Sequence, residues 1–437
     1  MADFATSAHP AVQAQLDRLA LLSPVGDRLG LARIAVLLDR LGRPQDALPP
    51  VFHVAGTNGK GSTCAFLRAA LEAAGHTVHM FTSPHLVRFN ERIRIAGKLI
   101  EDEPLAALLE EVIDADAGIK SSFFEVTAAA AFLAFARTPA DAAVVEVGLG
   151  GRLDATNVIA RPAACGIASL ALDHQDFLGR RMIDIAGEKA GIAKAGVPLV
   201  TQRYPPPIAA RIGEIAQQSG AHWLHRGEAW DANISRDRLK YRDAAGTLDL
   251  PLPDLPGRHQ AMNAALAVAM LRHQGAVEVP DQAMAQGIRS ARWAGRLHLL
   301  GDGPLTALLP GRRVWVDGGH NRHAAKAIAK AMADHAPFDV IFALTVKRRV
   351  ADVLGPVAPL IRKAHTVPLA GHPHHDPRDI AMIAQGRVGP RHCYPAFSLD
   401  QAIERLAADS DGAADVLIFG SLYLAGAALA ANGEAPD

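Results

Sequence analysis

Cysteine is scarce: Cys64, Cys165 and Cys393 are the only three in 437 residues, odd in number and far apart. That excludes a disulfide framework or a thiolate zinc site, and the three read as core thiols in a reducing compartment. An excess of one charge is also missing, because 45 Lys and Arg balance 45 Asp and Glu. No global field therefore favours nucleic acid or an anionic membrane surface. No apolar run is long enough to span a bilayer, and the opening residues, with Asp3 and no basic stretch before an apolar one, do not read as a signal peptide. These absences predict a cytoplasmic protein that works on small ligands. The length exceeds one ordinary core and predicts two domains.

One motif is incomplete in an informative way. Val51 to Thr63 reads strand, glycine-rich turn, lysine, helix start, yet Val54 stands where the strict G-x-x-x-x-G-K-[ST] pattern puts its first glycine, and Gly61 follows Lys60. The remaining parts still build a phosphate cradle. Gly56, Thr57, Asn58, Gly59, Gly61 and Ser62 allow backbone N–H groups to converge on an oxyanion at a helix N-terminus, while Lys60 reaches a β or γ phosphate. A nucleoside triphosphate is the expected occupant.

From Val51 onward, Val- and Ile-rich runs alternate with helical patterns, which predicts an α/β fold of parallel strands and crossover helices. Expected strands are Val51 to Ala55, His79 to Thr82, Ala143 to Val147, Ala164 to Ser169 and Pro198 to Thr201. A second series comprises Arg313 to Val316, Val340 to Leu344, His365 to Leu369 and Asp415 to Phe419, with helices over Ala324 to Ala333 and Leu399 to Ala408. Gly301-Asp302-Gly303-Pro304 breaks the pattern between them, so the boundary is expected near Leu297 to Pro304, giving domains 1–297 and 298–437. Between Gly227 and Pro253, alternation replaces helical spacing and suggests a hairpin-like insertion.

Polar residues punctuate the strand ends. Ser83 and His85 follow the second strand, where the ligand crevice of a doubly wound sheet lies, though an ordinary capped loop would also carry them. Glu146 sits in an otherwise apolar strand and is costly there unless paired, metal-bound or turned to solvent at the strand end. His174, in Asp173-His174-Gln175, is a candidate cation ligand or a merely hydrogen-bonded histidine. Lys189 reads most simply as a salt-bridged lysine beside Glu188. Downstream, Asn263 is read as opening a helix, Arg296 suits a phosphate through its planar fork, and Asp317 is either a ribose acceptor or a helix N-cap.

Six ordered segments carry a resemblance: HVAGTNGKGST at 53–63, SPHLVRFNERIRI at 83–95, FFEVTAAAAF at 123–132, EVGLGGRLDATN at 146–157, LDHQDFLG at 172–179 and GEKAGI at 187–192. The chain resembles the bacterial folylpolyglutamate synthase/dihydrofolate synthase family of the Mur ligase superfamily, from about Leu29 to Gly426. The resemblance implies an N-terminal P-loop ATPase domain with a mostly parallel sheet and a smaller Rossmann-like C-terminal α/β domain, closing around ATP, magnesium, a pteroate or folate, and L-glutamate. It implies that Gly59 and Lys60 hold phosphates, that Ser83 and Glu146 bind one Mg2+, and that Glu146, His174 and a carbamylated Lys189 bind a second. Asn263, Arg296, Asp317 and His320 would contact ATP. Asp27, Arg28, Leu29, Ser122, Phe123, Phe124, Glu125, Leu153, Asp154 and Ala155 would line the pterin site, with Phe124 able to stack on the ring.

The implied reaction phosphorylates a dihydropteroate or reduced folate carboxylate and then lets the glutamate amine displace phosphate. A monomer is expected, and a Mur-type ligase for another carboxylate and amine is the alternative. Two departures stand out: Asp317-Gly318-Gly319-His320-Asn321-Arg322 replaces the family's usual D-G-A-H-N-P, and Thr345 to Val350 is basic where an acidic-lysine-acidic pattern is usual. The cleft between domains is where this chain is expected to be individual.

Overall fold

The protein is described from a computed structural model, which covers residues 5–22, 29–388, 392–409 and 414–436. Strands β1 (Val51–Ala55), β2 (Val78–Phe81), β3 (Ile93–Ile95), β4 (Lys98–Leu99), β5 (Ala142–Glu146), β6 (Ala164–Ile167), β7 (Pro198–Thr201) and β8 (His222–His225) form one sheet in the order β4-β3-β2-β5-β1-β6-β7-β8. All neighbours are parallel except β2 with β3 and β3 with β4. Every residue of β1, β2, β5 and β6 is buried, as continuous apolar runs in a sheet covered on both faces should be.

Two apolar layers supply that cover. Helices Pro10–Leu22, Ala32–Arg40, Asp102–Ala115 and Phe123–Arg137 pack around Phe81, Phe132 and Val145 on one face. Helices Lys60–Ala73, Arg258–Arg272 and Asp281–Ser290 enclose Phe52, Phe66 and Met270 on the other. Each large apolar side chain so buried stabilises the fold by about 1.5–3 kcal/mol.

The insertion is a sheet in its own right. Strands β9 (Trp230–Ser235), β10 (Arg238–Asp243) and β11 (Gly246–Pro251) pair antiparallel in the order β11-β10-β9 and bury Trp230 and Tyr241. The chain then enters a third sheet of β12 (His298–Leu299), β13 (Val314–Asp317), β14 (Phe338–Phe342), β15 (Ile361–Thr366), β16 (Cys393–Pro395) and β17 (Val416–Phe419). Its order is β12-β13-β17-β14-β15-β16, parallel apart from β12 against β13. The expected strands are all present, most with ends shifted by one to four residues. β15 moves most, because Ile361 begins pairing with Phe338 before the apolar run starts. The three cysteines are buried and free. Among the described residues, no helix is long and apolar enough to cross a membrane.

Candidate active site

Strand order brings the polar motifs into one row. β2, β5, β1 and β6 are neighbours, and their carboxyl ends deliver Ser83, Glu146, the loop from Gly56 to Lys60, and Asp173 with His174. The carboxyl edge of a parallel sheet is where such folds bind ligands. The loop turns at Gly59, whose φ of +86° favours glycine, and a Cβ there would lie 2.4 Å from Asn263 Oδ1. Gly61 is equally constrained, since a Cβ on it would lie 2.7 Å from Trp293 Nε1. Lys60 begins the helix Lys60–Ala73, and Ser62 is buried in its first turn. Thr57 fixes the loop by donating its N–H to Ser169 O at 2.8 Å and its hydroxyl to Ala171 O at 3.1 Å.

Glu146 does not face solvent at the strand end. It is 4 % exposed, accepts from the Ser83 N–H at 3.3 Å and lies 3.7 Å from Lys60 Nζ. Burial raises its pKa, with Lys60, the Ser83 N–H and Arg296 pulling the other way. Lys189 overturns the salt-bridge reading, because Glu188 pairs with Arg152 at 2.8 Å and the Lys189 amine donates to Gly56 O at 2.9 Å. Burial, with Lys60 adding repulsion, lowers the Lys189 pKa to about 7.

Asp173 joins the two sides of the cleft. Just past β6, it is 5 % exposed and accepts from its neighbour His174 N at 2.6 Å, from Asn321 Nδ2 at 3.2 Å and from the Arg348 guanidinium. The His174 and His320 Nε2 atoms each lie 3.8 Å from it. Burial opposes its charge, but His320, His174 and Arg348 outweigh burial and hold the carboxyl well below its ordinary range. Burial also lowers the imidazoles, His174 to about 3 and His320 to about 4, so both are neutral at neutral pH. His174 itself adopts a left-handed φ of +49°.

Two downstream readings are corrected. Asn263 lies in the second turn of Arg258–Arg272 rather than at its start, which places it against Gly59. Asp317 is not the helix N-cap: Asn321 caps Arg322–Ala331 by accepting from Ala324 N at 2.9 Å. Asp317 instead accepts from Leu297 N at 2.8 Å and Gly319 N at 2.6 Å, and burial raises its pKa. Arg296 donates to Gly295 O at 2.9 Å, and its charge is felt by both Glu146 and Asp317 across the cleft. His85 accepts from Arg92 Nε at 2.9 Å.

Of the expected pterin-lining residues, Phe124 lies at the ends of β2 and β5, beside Phe81 and Gly148. Ser122 and Glu125 form a reciprocal capping box, and Arg33 Nη2 pairs with Glu125 at 2.9 Å. Phe123 is buried, while half-buried Phe124 lies so close to Gly148 that a Cβ there would be 2.3 Å from its ring. Asp154 orders its own loop by accepting from Leu149 N at 2.8 Å and Thr156 N at 3.0 Å, with half-buried Leu153 and buried Ala155 beside it. Leu29 is half-buried, and Asp27 and Arg28 lie outside the described residues.

Three residues in the cleft carry no role in the sequence reading: Asp173, Asn321 and Arg348. Their signals were adjacency to His174, adjacency to His320, and the basic segment after β14. For a metal, the donor chemistry fits magnesium in part. Glu146 and the Ser83 hydroxyl are hard oxygens at one strand-end row, whereas no cluster of three or more His, Cys, Asp or Glu among the described residues could hold an ion. Magnesium characteristically completes such a shell with substrate phosphates and water.

Known proteins are similar to this chain in sequence and in backbone. Residues 54–271 match the Mur ligase middle domain. The dihydrofolate synthase/folylpolyglutamate synthase of Escherichia coli is 36 % identical over 347 residues, covering 78 % of either chain. An E. coli FolC structure in complex with DHPP and ADP superposes with a TM-score of 0.85 at 32 % identity, covering 97 % of this chain and 98 % of that one. A Yersinia pestis bifunctional folylpolyglutamate synthase/dihydrofolate synthase complexed with AMPPNP and a Mn ion gives 0.84 at 29 % identity, covering 98 % of each chain. Likeness in sequence and in backbone thus extends over nearly the whole molecule, and the chain belongs to the dihydrofolate synthase/folylpolyglutamate synthase family of ATP-dependent ligases.

Proposed function

We propose that this chain uses ATP to join L-glutamate to dihydropteroate and to reduced folates, working as a cytoplasmic monomer without nucleic-acid or membrane partners. Residues 1–297 form the nucleotide- and pteroate-binding domain and residues 298–437 the closing domain. The observation that carries the reading is Lys60 held 3.7 Å from buried Glu146 at the head of the phosphate loop. A cation there stabilises charge on the γ-phosphoryl as it passes to the acceptor carboxylate. Asn263 and Arg296 flank the nucleotide, Asp317 takes the ribose and His320 closes over it. Leu29 and the segments Ser122–Glu125 and Leu153–Ala155 line the acceptor site.

Two magnesium ions, one at Ser83 and Glu146 and one at Glu146, His174 and Lys189, would supply neutralisation of phosphate charge when bound. Carbamylation of Lys189 is supported by its depressed pKa of about 7, which leaves a substantial share of the amine unprotonated at physiological pH. The neutral amine nitrogen bonds to the carbon of CO2 and one N–H proton goes to solvent, so the side chain becomes an anionic ligand. Intact-protein mass showing no CO2 adduct, together with an unmodified, metal-distant amine in a high-resolution map, would remove this assignment. The reaction itself is tested by incubating the protein with ATP, Mg2+ and L-glutamate plus dihydropteroate or tetrahydrofolate separately, and reading products by mass. Glutamate addition to both is expected; addition to neither would sink the folate reading.

A further inference from the structure

We propose that Asp173 and Arg348 form the latch on which the two units close, with Arg348 a positioning residue for amide formation; this rests on the reaction proposed above. Asp173 belongs to the first sheet, following β6, yet its partners beyond its own loop come from the third sheet. Asn321 and His320 follow β13, and Arg348 follows β14. One buried carboxylate therefore receives two separate loops. The planar guanidinium fork of Arg348 suits a carboxylate. Its loop is braced from behind, since His375 Nε2 donates to Arg348 O at 2.7 Å and Thr345 bridges to His374.

Asn321 ties the latch to the nucleotide loop. Its Nδ2 donates both to Asp173 and to Asn58 Oδ1 at 2.9 Å, while Asn58 Nδ2 returns to Asn321 Oδ1 at 3.4 Å. The same Asn321 caps Arg322–Ala331. Seating of the phosphate loop and docking of the C-terminal unit thus share one side chain. With its oxygens engaged across the cleft, Asp173 acts in closure and not as a metal ligand, although it adjoins His174.

Closure matters after the acyl phosphate forms. In productive turnover the glutamate nitrogen bonds to the acyl carbon, the bond to phosphate breaks, and the amine proton goes to solvent. If the cleft opens, a water oxygen forms that bond instead and returns the free carboxylate plus phosphate. Both routes consume one ATP, so phosphate released per amide formed reports the latch.

The test compares Arg348→Ala, Arg348→Lys, Asp173→Asn and the double variant Asp173→Asn/Arg348→Ala with the unaltered chain. Arg348→Ala should raise the phosphate-to-amide ratio at least about ten-fold, as misplacement of reacting groups does, with the KM for ATP and the Mg2+ activation midpoint within about two-fold. Arg348→Lys should fall between, and the double variant should be no worse than the worse single one. Small-angle scattering with a non-hydrolysable ATP analogue should show the unaltered chain compact and Arg348→Ala extended. A ratio that stays put in folded Arg348→Ala, an Mg2+ midpoint that moves in step with it, additive variants or identical scattering would each overturn the latch. Failure of the unaltered chain to form any amide would instead sink the folate reading, while the scattering measurement would still judge closure.

Discussion

Two buried carboxylates, Glu146 at the end of β5 and Asp339 in β14, are almost equally hidden from water and are treated in opposite ways. Asp339 is 0 % exposed and is held by Arg312 Nη1 at 3.0 Å and by Arg362 Nη2 at 2.6 Å, and Arg362 also reaches Asp409. Its charge is fully answered within its own unit. Glu146 has one amine at 3.7 Å and one backbone N–H at 3.3 Å, and nearby Lys189 has a carbonyl for a partner. Burial alone therefore does not mark a functional group. The mark is burial with the compensation left incomplete, which a phosphate, a metal or a carbamate can complete.

The sharpest test of that contrast removes one charged side chain from each side, the Lys60 cation and the Asp339 anion. Lys60→Ala should cut product formation about a thousand-fold or more, because charge on the transferring phosphoryl loses its stabiliser, while the urea unfolding midpoint stays close to that of the unaltered chain. Asp339→Ala should do the reverse. It removes the carboxylate that Arg312 and Arg362 share and should cost about 3–5 kcal/mol in urea unfolding, while kcat of the folded fraction stays within about a factor of two. If Asp339→Ala lost activity beyond its loss of folded protein, the contrast would break.

Lys189 gives the next largest effect and separates function from stability within one residue. Replacing an incompletely paired buried amine by Met should leave the fold as stable or raise stability by about 1 kcal/mol, while activity falls about a hundred-fold. Lys189→Arg should lose activity to a similar degree, since guanidinium does not form the carbamate. Full activity in either variant would show that the buried amine is structural and that the site is complete without it.

Much of this was legible in the chain. The alternation of Val51–Ala55 and its successors with helical patterns fixes strand positions because strands buried on both faces must be apolar throughout. Glu146 declared itself by breaking that rule. What the chain could not reveal are pairings between residues distant in sequence. Lys189 reads as a partner of Glu188 by adjacency, but Arg152 takes Glu188 and turns the amine toward Gly56. Gly61 reads as a family mark, and its physical reason, the Trp293 indole, lies more than two hundred residues away. Asp317 reads equally well as a cap, and only the fold shows Asn321 doing that work. Arg348 was visible as part of a basic segment, but its partner Asp173 belongs to another sheet.

The smallest expected effect compares the two sheets through one buried histidine in each. His53 of β1 is fully buried with Nε2 2.8 Å from Thr156 Oγ1, and His365 of β15 is 4 % exposed. Burial depresses their pKa values, to about 3 and about 4. Between those values and the ordinary 6.5, the unfolded chain binds a proton that the native state refuses, so stability is full above pH 6.5 and falls as pH drops through that window. Each histidine should cost about 1 kcal/mol between pH 7.5 and 5.5, read as a shift in urea midpoint. His53→Gln should remove its share of that slope and leave the share of His365. A slope unchanged by His53→Gln would mean that the interior of the first sheet accepts the imidazolium, and that the contrast between answered and unanswered charge does not extend below the site.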